Sequence, residues 1–363
     1  MKSKDKLLQI PRGTESFYLE EAYLHRRISA SLSGLFYSWG YLPIETPLFD
    51  FYDIYKPLLD PAADEKIYRL IDRDGDLLML RSDITLFMAK QMGLALTERD
   101  LPVRVCYSDA ILRYQSREDI SHNEFYQVGA ELIGRDGMEG DLEILLLLLS
   151  SLKLLGLEDA RLHIGTRKLF DTVFKGYGDG EKKKLQSLIL LRNWDVLTEY
   201  LEERGNDSEW IVEVVNIFSS ILEGEDLKSL KIGSLNGNIE KEIDYMKELY
   251  DKIDTLGFKD YLRIDFSEVG TQPYYTGIVF EVYVPGVDSA VASGGRYNRL
   301  LERFGFDSPA VGFSILLRKI EASMKRLDDF MPLRNIVKLK EGNFLERFKK
   351  AERLRERGKI VVL

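Results

Sequence analysis

The sequence predicts an α+β domain, and three observations carry that reading. Residues 67–81 and 103–133 each hold two strand-like runs separated by a polar turn or loop, apolar residues recur at helical spacing around them, and from about 167 to 260 helices alternate with polar connectors. Antiparallel hairpins flanked by helices and interrupted by a helical segment give layered α+β architecture.

The first predicted element is an amphipathic helix over residues 15–39, with Leu24, Ile28, Leu32, Leu35 and Phe36 on one face. After Gly40, Pro43 and Pro47 forbid a helix and favour an extended edge or interface segment through Phe49. A hairpin follows, with strands at 67–71 and 77–81 around the Asp72–Asp76 turn. A second pairs 103–114 with 123–133 across the polar segment 115–122. Residues 142–155 read as a buried helix ending at Gly156. In the helical stretch the clearest face runs through Ile239, Ile243, Met246, Leu249, Tyr250 and Ile253. Strand character returns at 262–266 and 278–284, followed by a helix at 296–304 and a further element at 311–322. The tail reads as strand 335–339, charged helix 343–358 and strand 359–363. The expected organisation is a domain over 1–325, with its helical insertion at about 167–260, and a short β-α-β tail over 326–363.

Composition removes several function classes. The 363 residues carry 51 basic and 60 acidic side chains, a net charge of −9 that gives no general claim on a phosphate backbone. One cysteine, Cys106, excludes an internal disulfide and a cysteine metal cluster, and only His25, His122 and His163 could supply imidazole. No metal site is expected. The longest apolar run, 144–149, falls well short of the roughly 20 residues that span a bilayer. No secretory signal opens the chain, so a soluble, cytoplasmic protein is expected.

Motifs taken singly say little. Gly294-Gly295 lacks the context of a dinucleotide site, and its plain reading is a tight turn before a helix. Neither a P-loop nor a nucleophile elbow occurs.

Order and spacing carry more. Pro11-Arg12-Gly13, the Pro43 to Phe49 segment, Leu80-Arg81-Ser82-Asp83-Ile84-Thr85, Leu112-Arg113-Tyr114-Gln115 with Glu124 to Glu131, and Tyr274 to Glu281 with Gly294 to Tyr297 follow one another along the chain. In that order they resemble the catalytic core of class II histidyl-tRNA synthetases. The resemblance implies an antiparallel sheet flanked by helices with a helical insertion, and a dimer interface at Pro43 and Pro47. It also implies a histidine pocket in which Asp83, Thr85, Arg113 and Gln127 hold the amino and carboxylate ends, while Glu131, Tyr274 and Tyr275 surround the imidazole. A carboxylate and phenolic hydroxyls suit the two ring nitrogens. Glu131 and the tyrosines would equally suit a satisfied buried network, an alternative the residues leave open.

The departures from the synthetase pattern concern ATP. Where motif 3 would read G-x-E-R the chain has Leu316-Leu317-Arg318-Lys319, and Gly270 stands where an arginine would assist histidine activation. Gln115 and the acidic segment 116–121 replace the motif 2 glutamate and its basic loop; Arg113 and Phe125 still match. The tail supplies only the start of an anticodon-binding domain, which argues against tRNA as a partner.

This combination is similar to the regulatory subunit of two-component ATP phosphoribosyltransferase, the first enzyme of histidine biosynthesis. That resemblance implies a chain without catalytic residues or cofactor, whose partners are the short-form catalytic subunit, a second copy of itself, and L-histidine as effector. The competing readings are a truncated histidyl-tRNA synthetase and a synthetase paralogue that serves as a binding module.

Overall fold

The computed structural model describes residues 13–14, 16–114, 123–230, 237–324, 330 and 336–363. Pro11, Arg12, the segment 115–122 and the start of the tail, including 335, lie outside the described residues. The strands are β1 (Leu42–Pro43), β2 (Phe49–Phe51), β3 (Arg69–Ile71), β4 (Leu77–Leu80), β5 (Val103–Leu112), β6 (Glu124–Ile133) and β7 (Arg161–Thr166). They continue with β8 (Ile221–Leu222), β9 (Leu262–Asp265), β10 (Ile278–Tyr283), β11 (Ala292–Arg296), β12 (Ala310–Leu316), β13 (Val337–Lys338) and β14 (Val361–Val362).

Nine of these strands form one sheet in the order β1-β5-β6-β12-β11-β10-β7-β9-β8. Pairing is antiparallel from β5 through β7 and parallel at β1·β5 and β7·β9, which makes the sheet mixed at its margins. The hairpins expected at 67–81 and 103–133 are present as β3·β4 and β5·β6, and β2 joins the first to make a separate three-stranded sheet.

Strand alternation divides the large sheet into two chemically distinct faces. In β6, Val128, Ala130 and Leu132 are fully buried in the principal core with Ile28, Leu32 and Phe36 of the helix Leu19–Ser38. Those helix residues belong to the face that the sequence predicted. The alternate residues Gln127, Gly129 and Glu131 point to the other side of the sheet.

Several elements differ from expectation. The buried helix begins earlier, at Gly137, and runs to Leu154. A helix at Ile84–Ala95 was not foreseen, because apolar residues stand on its exposed side as well as its buried one, Leu94 being 72% exposed, and this blurs the amphipathic period. Nor was β7. The helix expected at 296–304 is replaced by the end of β11, a turn, and a short 3-10 segment at Leu301–Phe304. Gly294 and Gly295 are therefore mid-strand residues, not a turn: a Cβ at 295 would lie 2.8 Å from the Tyr275 ring and the Ile278 carbonyl. Residues 311–322 divide into β12 and the helix Leu317–Ser323.

Between 167 and 255 the chain forms helices at Arg167–Val173, Asp179–Leu190, Trp194–Glu203, Ser208–Ser219, Gly224–Ser229 and Gly237–Thr255, with β8 returning to pair with β9. All six apolar positions named for the last helix are buried. In the tail, β13 and β14 are parallel and joined through the helix Phe344–Glu356.

A buried ion pair joins three of these parts. Arg296, at the end of β11, donates from Nε to Asp141 Oδ1 at 2.7 Å, and both side chains are 2% exposed. Tyr245 of the helix Gly237–Thr255 donates to the other oxygen of Asp141 at 2.5 Å. Arg296 also donates to the carbonyls of Arg135 and Gly137 at 3.1 and 3.2 Å. Breaking such a pair from one side strands the remaining charge in the interior. Arg296→Met is expected to lower unfolding stability by about 3–5 kcal/mol, and Arg296→Met with Asp141→Leu to lose less, as read by urea denaturation.

Candidate functional site

A cavity opens on the Glu131 face of the large sheet. Asp83, Thr85, Arg113, Gln127, Glu131, Tyr274 and Tyr275 all line it, so the seven residues proposed from the sequence are brought together although they lie up to 192 positions apart (275 minus 83). Pro43 and Pro47 lie elsewhere and are exposed, Pro43 in edge strand β1 and Pro47 in the stretch leading to β2. Phe125 packs beside the small cluster of Ile84, Tyr107 and Ile111.

At one end, Asp83 caps the helix Ile84–Ala95, its Oδ1 accepting from the Leu86 amide at 3.0 Å. Capping fixes the side chain and leaves Oδ2 facing the cavity. That oxygen accepts from the Tyr274 hydroxyl at 3.2 Å and lies 3.6 Å from Arg113 Nη2. Arg113 is oriented by its own Nε, which donates to the Ser82 carbonyl at 2.7 Å.

In the middle stands Glu131, 1% exposed. Thr85 Oγ1 donates to its Oε1 at 2.7 Å, Tyr297 donates to Oε2 at 2.5 Å, and Tyr107 approaches Oε1 at 3.3 Å. Burial pushes the Glu131 carboxyl up to about 7, with the Tyr297 and Thr85 hydrogen bonds opposing the rise. The neighbouring strands leave space for this carboxylate. Glu131 pairs with Gly312, and Gly312 with Gly295, so the sheet row beside it carries no side chains; a Cβ at 312 would overlap the Glu131 carboxylate.

The far end is lined by Glu268, Gly270, Gln272, Glu281, Ser293 and Leu316. Tyr283 bridges the two acids, donating 2.7 Å to Glu281 and lying 3.0 Å from Glu268. Burial, with the charges of Glu281 and Asp265 adding to it, pushes Glu268 up to about 8. Gly270, in the position of the expected arginine, has φ +78°, and a Cβ there would lie 2.7 Å from the Tyr275 ring. Lys319 is directed to Ser289 Oγ at 2.6 Å and the Ala290 carbonyl at 3.3 Å, while Arg318 pairs with Glu21 at 3.1 Å.

Sequence reasoning missed Tyr107, Glu268 and the wall function of Glu281, Ser293 and Ser314. The period of the predicted second hairpin would have found Tyr107, which pairs with Gly129 and so shares the Glu131 face. No local pattern marks Glu268. Among the described residues His163, Asp265 and Glu268 could also contribute atoms to a metal ion. The Asp265 carboxylate is already engaged by His163 Nδ1 at 2.9 Å, Arg192 at 2.6 Å and the Ser267 hydroxyl at 2.7 Å, which leaves it little to offer a cation.

The sheet and the cavity on its face define a class II aminoacyl-tRNA synthetase-like protein. The family model for histidyl-tRNA synthetase matches residues 13–320. The chain is 31% identical to an ATP phosphoribosyltransferase regulatory subunit from a Thermoanaerobacter species, covering 98% of this chain and 94% of the relative. The one from Clostridium kluyveri is 29% identical, over 96% and 91%. Among solved structures, an ATP phosphoribosyltransferase regulatory subunit/histidyl-tRNA synthetase from Bacillus halodurans superposes with TM-score 0.85 at 24% identity, over 98% of this chain and 92% of that one. A Nostoc histidyl-tRNA synthetase gives 0.80 at 21%, over 98% and 85%. The chain belongs to the family of ATP phosphoribosyltransferase regulatory subunits, built on the histidyl-tRNA synthetase fold. Among the described residues no helix is long and apolar enough to cross a membrane.

The raised carboxyl of Glu131 has a stability consequence. The folded state holds its proton more tightly than the unfolded chain, so its contribution is fully present below the ordinary carboxyl range and is lost as pH rises to about 7. Glu131→Gln should therefore gain stability relative to the parent between pH 4.5 and 7.5, by on the order of 3 kcal/mol at most. Denaturant unfolding at both pH values measures it.

Proposed function

We propose that this chain is a non-catalytic, cytoplasmic regulatory subunit that binds L-histidine in the cavity and transmits its occupancy to the short-form catalytic subunit of ATP phosphoribosyltransferase, at the first step of histidine biosynthesis. The family relation supports the class of partner, and the lining of the cavity supports the effector.

The observation that carries the reading is the set of hydrogen-bonding groups on the cavity wall. Four carboxyl groups, Asp83, Glu131, Glu268 and Glu281, line it with the Arg113 guanidinium, and burial favours the protonated form of Glu131, Glu268 and Glu281. An amino acid with a basic ring suits that arrangement: Asp83 takes the ammonium group, Arg113 the carboxylate, and Glu131 an imidazole N–H. Tyr274 and Tyr275 form the surrounding wall. A triphosphate does not suit it, because among the lining residues Arg113 alone carries a positive charge and Lys319 is committed to Ser289 Oγ and the Ala290 carbonyl. Gly270 and Leu316 likewise present no donor side chain to a phosphate.

Dimerisation through the region of Pro43 and Pro47 belongs to the same proposal. Leu42, Leu48, Phe49, Phe51 and Ile71 are 47–72% exposed on the edge strand, the segment after it and the small sheet. Apolar surface of that kind suits a second copy of the chain. Histidine would then act by preferring one quaternary arrangement of the assembly, since an effector shifts an equilibrium only by its differential affinity for the two states.

Isothermal titration with L-histidine tests the effector. Binding is expected to weaken about tenfold or more in Glu131→Gln, in keeping with loss of a charge-assisted hydrogen bond, and to be abolished by Gly312→Ala. Histidine-dependent ATP–pyrophosphate exchange at a robust rate would overturn the non-catalytic reading, and unchanged affinity in Glu131→Gln would overturn the placement of the ring. Reconstitution with a short-form transferase should give activity that needs this chain and falls with added histidine. For the interface, Phe49→Glu with Ile71→Glu is expected to convert a dimer to a monomer in light scattering while leaving thermal unfolding of the monomer cooperative.

A further inference from the structure

A second cavity lies behind the tyrosine wall of the first. Tyr274 and Tyr275 line both. The second is otherwise distinguished by its charge: Arg167, Arg299 and Arg303 line it, against one acid, Asp171. Arg167 already has partners, its Nε 3.3 Å from Asp171 and its guanidinium 4.9 Å over the Phe170 ring. Arg299 and Arg303 do not. Both are exposed, and among the described residues their side chains have no hydrogen-bond or ion-pair partner.

Arg299 and Arg303 stand at one 3-10 turn, where Glu302 is the acid that lies beside them, and neither guanidinium pairs with it although the chain carries 60 acidic residues. Held on the rim of a cavity, they form a site of net positive charge whose planar donor forks match phosphate oxygens. A single carboxylate would balance only one of them. A ligand bearing two or more negative charges balances both.

We propose that this second cavity binds a small phosphorylated anion through Arg299 and Arg303, and that the shared Tyr274–Tyr275 wall couples its occupancy to the first cavity. The anion site stands on its own geometry. The coupling rests on the reading of the first cavity as the histidine site. A ligand that presses on one side of the two rings changes the space available on the other, which is the differential contact that coupling between sites requires.

Titration calorimetry on the full chain with inorganic pyrophosphate tests both parts, using the parent and the Arg299→Ala/Arg303→Ala variant, whose altered residues lie outside the histidine cavity. Pyrophosphate affinity is expected to fall about tenfold or more in the variant and to weaken with added salt. Histidine affinity without the anion should be the same in both proteins. Saturating pyrophosphate should shift histidine affinity severalfold in the parent and not in the variant. Equal pyrophosphate binding by the two proteins, or none by the parent, would overturn the anion site. If the variant instead loses only its association with the catalytic subunit, the arginines form a protein contact and the proposal fails. An unchanged histidine affinity in the presence of bound pyrophosphate overturns the coupling, whereas failure of histidine to bind under any condition overturns the histidine reading and leaves the pyrophosphate result intact.

Discussion

Everything on the cavity face of the sheet is arranged around one buried carboxylate. Glu131 is removed from water, and such a group is tolerated only where hydrogen-bond donors replace the lost hydration. Those donors come from separate parts of the chain: Thr85 from the helix after β4, Tyr297 from the turn after β11, and Tyr107 from β5. Space for the carboxylate comes from the side-chain-free row at Gly312 and Gly295. Satisfying one acid thus fixes the relative placement of β5, β6, β11, β12 and the helix that Asp83 caps. The arrangement also leaves the acid within reach of a ligand.

A contrast in electrostatics runs from one end of the cavity to the other. At the Asp83 end an acid and a base face each other at 3.6 Å, an arrangement complementary to a zwitterion. Toward Glu268 and Glu281 the acids meet without a facing arginine, and burial raises both carboxyls above their ordinary range. Their shared contact is neutral, the Tyr283 hydroxyl. This end therefore offers neutral hydrogen-bonding groups where the Asp83 end offers a facing acid and base.

Much of the site was legible because its residues fall in segments whose order along the chain is itself a pattern. Asp83 and Thr85 open one helix, Arg113 follows one strand, Gln127 and Glu131 alternate along another, and Tyr274 and Tyr275 precede a third. The hairpins were legible from their turns, and the helix Gly237–Thr255 from its stripe of six buried residues. What escaped local reading has a tertiary cause. Gly294 and Gly295 look like a turn because the reason for lacking side chains, the Phe280 and Tyr275 rings, lies on other parts of the chain. In the helix Ile84–Ala95 apolar residues fall on the exposed side as well as the buried one, Leu94 among them, which blurs its period. Glu268 lies in a stretch with no pattern of its own, and only the fold carries it to Glu281.

Gly270 ties the backbone of the cavity wall to its tyrosines. Its backbone has turned into the left-handed region, and the direction a side chain would take is filled by the Tyr275 ring and Val279. Restoring an arginine there would meet a strained backbone and an occupied volume before it met any substrate. An arginine at 270 would therefore need the chain re-bent and the Tyr275 ring moved together, so the backbone conformation and the tyrosine wall are one coupled feature of the cavity.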